Sequence, residues 1–139
     1  MLYGDRNDMR QVFVDTYRKT QAGMPLAPME QVIAAVIAEH PEYHKLLGAG
    51  DIDRDYTVEQ GQTNPFLHMA MHISIREQLS VDRPAGISAA WQRLSLREGD
   101  AHQAEHRMLD CLAEMLIEAQ RSGSMPDEQA YLRAVQQLL

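Results

Sequence analysis

A chain of 139 residues with 45% hydrophobic side chains is long enough to bury a core without staples and is expected to form one domain, 1–139. Thirteen Lys and Arg against twenty Asp and Glu leave a net charge of −7, and no basic stripe offsets it, which excludes a nucleic-acid backbone as partner. One cysteine, Cys111, excludes an internal disulfide; with no signal-like N-terminus and no apolar run of membrane-spanning length, a soluble cytoplasmic protein is expected.

The first helix is predicted to start at Asp5 or Asn7, to carry the apolar stripe Met9, Val12, Phe13 and Tyr17, and to stop at Gly23. A second starts near Pro28 with Met29, Val32, Ile33, Val36 and Ile37. His40 extends that stripe, and Pro41 then closes the helix or opens a new first turn. From Gly48 to Thr63 an acidic, turn-rich segment reads as a solvated connector. Its Asp51-Ile52-Asp53-Arg54-Asp55 run only superficially resembles a calcium loop, because Tyr56 stands where glycine is needed and Gln62 replaces the bidentate glutamate.

Asn64-Pro65 is an N-cap followed by proline at the first helical position. The helix it opens is apolar around most of its N-terminal half and is expected to lie centrally, ending at Asp82-Arg83-Pro84. A shorter helix carries Ile87, Ala90, Trp91 and Leu94 to Gly99. Asp100 caps the next, which runs to about Arg121. A last one begins near Pro126 with Ala130, Tyr131, Ala134, Val135 and Leu138. Alternating strand patterns are absent. The predicted class is all-α: a helical bundle of four longer helices plus one or two short ones.

All six histidines fall into pairs four residues apart: His40 with His44, His68 with His72, and His102 with His106. Random placement would give roughly 0.2 such pairs. On a helix, residues i and i+4 share a face, so each pair can grip one ion through two imidazoles. His102 and His106 lie about 40° apart inside the stripe of Leu109, Ala113 and Leu116, and His68 and His72 share a face with Ile75 and Leu79. Four imidazoles from two adjacent helices would then meet in the interior. Buried unsatisfied imidazoles cost on the order of 1–3 kcal/mol each, and a divalent cation relieves that by taking a lone pair from each ring.

The predicted metal ligands are therefore His68, His72, His102 and His106. His40 and His44 are second-tier candidates because of Pro41, as are Asp110 and Glu105, at about 80° and −60° from His102. A divalent transition metal, zinc or iron, suits this set; the methionines around His68 and His72 read as core filler rather than copper ligands. Cys111 points about 180° away from His102 and reads as a buried structural thiol. Nucleophile elbows, phosphate loops and H-E-x-x-H are absent, so covalent catalysis has no support.

The blocks HPEYH (40–44), NPFLHMAMHISIREQLSVDRPAGI (64–87) and GDAHQAEHRMLDCLAEMLIEAQRSG (99–123) resemble a bacterial family known as domain of unknown function 1841, over essentially the whole chain. That resemblance implies a small cytoplasmic protein and no assigned activity. By ligand style alone the chain is also similar to hemerythrin and DinB-type metal-binding bundles, although it departs from the hemerythrin His-x-x-x-Glu pattern.

Together these features predict a metal-binding helical-bundle protein whose histidine-rich site holds one ion or two, as a small-molecule metalloenzyme or an oxygen- or metal-handling protein. The alternative is a non-catalytic interaction module with a structural histidine cluster, in which Trp91, Phe66 and the last helix are interface candidates. Expected partners are a small molecule, a protein or a second copy of the chain, and neither nucleic acid nor membrane.

Overall fold

In the computed structural model, residues 6–54, 56 and 64–139 are described, and all regular structure among them is helical. The elements are α1 (Arg6–Gln21), α2 (Pro28–Ala38), a 3-10 turn (Pro41–Tyr43), α3 (His44–Ala49), α4 (Pro65–Val81), α5 (Ile87–Glu98), α6 (Ala101–Ser122) and α7 (Glu128–Gln136). The all-α class read from periodicity is the class observed. No described helix is long and apolar enough to cross a membrane.

Local chemistry explains the boundaries. Asn64 Oδ1 accepts from the backbone N–H groups of Phe66 and Leu67, both at 3.1 Å, which starts α4. Asp100 accepts from the His102 N–H at 3.0 Å and Asp127 from the Ala130 N–H at 3.0 Å, starting α6 and α7. At the end of α4, Asp82 adopts a left-handed φ of 50° and its carboxylate collects the N–H groups of Gly86 and Ser88, at 3.2 and 3.0 Å. Those two bonds hold its pKa below the ordinary aspartate value. The connector after α3 has no regular structure over 51–54, and of the two residues that decide the calcium-loop comparison, Tyr56 and Gln62, the second lies outside the described residues.

The chain forms two compact units, Met1–Ile73 and Ser74–Leu139, with α4 contributing residues 65–73 to the first and 74–81 to the second. In the first, α1 packs on α2 and α3. Its core is Phe13, Val14, Ile33, Val36, Ile37, Leu47, Phe66, Met69 and Ile73. Phe66 is fully buried, its ring centroid 6.1 Å from that of Phe13, so it is a core residue and not the interface residue expected. Its place in the first turn of α4 turns it into the apolar centre, where burying a phenyl ring contributes roughly 2–3 kcal/mol. Lys19 and Glu30 join α1 to α2 at 2.6 Å, and the other oxygen of Glu30 accepts the Ala27 N–H at 2.9 Å, starting α2. The buried Arg10 guanidinium donates to the carbonyls of Ile52 and Arg54 at 2.9 and 2.7 Å and lies 4.9 Å from the Phe66 ring centre.

In the second unit, α5, α6 and α7 pack on one another. Ile87 and Leu94 from α5, Met108 and Leu112 from α6, and Tyr131 and Val135 from α7 are buried. Tyr131 donates to Gln78 Oε1 at 2.8 Å, and burial pushes its phenol pKa up. Leu116, placed by periodicity on the buried stripe of α6, is 40% exposed.

Candidate metal centre

Proline at position 41 decides how the first histidine pair is used. The residue before a proline is pushed out of the α region, and His40 has φ −128° and ψ 64°. The helix therefore stops at Ala38, and the His40 ring folds back so that Nδ1 lies 2.7 Å from the Val36 carbonyl. Only an N–H can bond a carbonyl, so Nδ1 carries a proton, and in the neutral ring the lone pair is on Nε2. His44, beyond the 3-10 turn, uses the opposite nitrogen: Nε2 lies 2.8 Å from the Ile37 carbonyl, and its ring sits 5.2 Å from that of Tyr17 on α1. The pair is thus divided, with His40 beside α4 and His44 beside α1.

His68 and His72 stay on one continuous face of α4. Their rings meet edge-on with centroids 4.7 Å apart, and their Nε2 atoms are separated by 3.2 Å. His40 joins them, its ring 5.1 Å from His68 and 4.8 Å from His72. One ring nitrogen from each of the three lies within 4.8 Å of the other two. His72 is fully buried and His40 is 3% exposed. A tetrahedral ion with metal–nitrogen bonds of about 2.05 Å holds its ligand nitrogens about 3.3 Å apart, close to the His68–His72 separation. All three donors are imidazoles, a set that suits zinc, iron, copper or nickel and not calcium or magnesium.

Tyr43 is a neighbour that sequence reasoning passed over. Its ring stacks on His40 with centroids 5.6 Å apart and planes 2° from parallel, and meets His68 edge-on at 6.3 Å. Burial, then the Glu42 charge, raises its phenol pKa. The signal was available in HPEYH: a 3-10 turn brings residue i+3 back against i, here Tyr43 against His40.

The remaining candidates lie in the second unit. His102 and His106 form an edge-on pair with centroids 4.4 Å apart, and the His106 Nδ1 lies 3.1 Å from the His102 carbonyl, which puts an N–H on Nδ1. Glu105 is 6% exposed and engages Arg76, with Nε to Oε1 at 3.2 Å and Nη2 to Oε2 at 3.5 Å. Asp110 is exposed beside Arg107 and Glu114. Cys111 is buried as expected, and that burial raises its thiol pKa. Met69 is fully buried in the core of the first unit, the filler role assigned to it from sequence.

An all-α chain with imidazoles gathered inside it is the class that the fold and this cluster define. Residues 5–137 match the family model described as domain of unknown function (DUF1841), and the chain belongs to that family. No curated protein and no solved structure matches it.

Proposed function

We propose that this protein binds one divalent transition-metal ion, zinc before iron, through Nε2 of His40, His68 and His72. The observation that carries the reading is the 3.2 Å approach of the His68 and His72 Nε2 atoms beside a buried third imidazole. Three imidazoles so placed each offer a ring nitrogen within 4.8 Å of the others, and one cation can take all three. The His40 Nδ1–H donates to the Val36 carbonyl, and metal-bound imidazoles commonly have their outward N–H held by a carbonyl or carboxylate in this way. Three imidazoles leave a fourth position for water or another donor.

Elemental analysis of untagged protein, as purified and after zinc reconstitution, tests this. One ion per chain is expected, lost in the His68→Ala/His72→Ala variant. A wild-type chain that retains no transition metal after reconstitution would overturn the proposal.

A further inference from the structure

A groove runs between α6 and α7 in the second unit. Cys111, Ala130, Tyr131 and Ala134 form its floor, and the exposed carboxylates of Glu114 and Glu118 stand on its rim. It continues past Asp110 at one end and past Met125 and Asp127 at the other. Small residues four apart on α7 keep the floor low, the spacing that lets another helix approach closely. Met125 is 85% exposed at the mouth, and Ile117 is 54% exposed on α6.

The same unit carries a face of complementary character. Leu96 on α5 is 84% exposed, and the exposed Arg93 and Arg97 flank it one helical turn apart. Glu114 and Glu118 are also one turn apart, so two parallel ion pairs fit while Leu96 enters over Ala130 and Ala134. Arg97 already donates one nitrogen to the Leu139 carbonyl, which orients its guanidinium, and among the described residues Glu118 pairs with the exposed Arg121 at 3.4 Å, a contact it can exchange.

We propose that the α6/α7 groove is a docking site for α5 of a second copy of this chain. An exposed pair contributes little by itself, so the leucine in the groove supplies affinity and the matched charges supply register. The chain's net charge of −7 opposes association at long range, but a Debye length of about 8 Å at physiological salt screens that repulsion while contacting pairs persist.

Sedimentation equilibrium of the full chain tests the proposal through a charge swap. Wild type is expected to self-associate. Glu114→Arg/Glu118→Arg and Arg93→Glu/Arg97→Glu, each alone, should weaken association by more than about tenfold. Mixing the two variants restores it, because each then offers what the other's groove or helix lacks. Circular dichroism confirms that both variants are folded, and the four-fold variant, with both surfaces reversed, should self-associate again even if one parent folds poorly. A monomeric wild type, a dimer indifferent to either reversal, or no rescue by mixing would each overturn the assignment.

Discussion

His40 and Val36 are joined through Nδ1 and the main-chain carbonyl at 2.7 Å, whereas His44 bonds the Ile37 carbonyl through Nε2 at 2.8 Å. Two histidines of one short segment therefore present opposite nitrogens. His40→Ala is expected to release the metal or weaken its binding. His44→Ala should keep the stoichiometry and lose only about 1 kcal/mol of stability with the hydrogen bond. Zinc titration with a chromophoric competitor, read beside thermal melts, separates the two. Equal metal loss in both variants would contradict the assignment.

Thr16, on α1, is fully buried, and its hydroxyl has no hydrogen-bond partner among the described residues. A buried hydroxyl left unmatched costs on the order of 1 kcal/mol or more, so Thr16→Val should stabilise the protein by about 1 kcal/mol and raise Tm by about 4 °C. A lower Tm in differential scanning calorimetry would show that the hydroxyl contributes favourably.

Gly50 ends α3 at φ 71°, and a Cβ there would come within 2.9 Å of Arg18 Nη2; Gly99 has nearly the same φ, 72°, with nothing near. Left-handed backbone costs an alanine roughly 1–2 kcal/mol at either site. Gly50→Ala should exceed Gly99→Ala by only a few tenths, because the guanidinium at the end of a flexible side chain can move aside. Urea unfolding of both variants measures that difference.

Asp82 gives the acid limb of stability a specific contributor. Its native pKa is lowered by the Ser88 and Gly86 N–H bonds. Its contribution is complete above the unfolded value, ordinarily 3.8, and disappears as pH falls through the lower native one. Asp82→Asn should therefore be less stable than wild type at neutral pH, with the gap narrowing in acid below that window. A gap that stays constant from neutral pH to the acid limb would exclude the carboxylate as its source.

Helix boundaries were readable wherever one residue type dictates a backbone choice. Pro28, Asn64-Pro65, Asp82 and Asp100 mark starts and stops within a residue of those observed. The short α3 was not separable from its surroundings, because six residues hold too few apolar positions to display a period. For the site, i, i+4 spacing identified the His68–His72 pair, but ranking His40 required knowing how the chain leaves α2. A proline-induced turn redirects a ring through an angle that helical projection cannot supply, and Tyr43 follows from the same turn. Phe66 was an interface candidate of the alternative reading, and only its packing against Phe13 reveals its place in the core.

Glu30 serves two masters with one charge. Its Oε1 holds the start of α2 while its Oε2 reaches back to Lys19 on α1, and those contacts, Lys19 foremost, keep its carboxyl more acidic than usual. Removing that negative charge would release the latch between the two helices and unseat the first turn of α2 at once. Folding of this hairpin thus couples a local event, helix initiation, to a tertiary one, closure onto α1, through a single side chain.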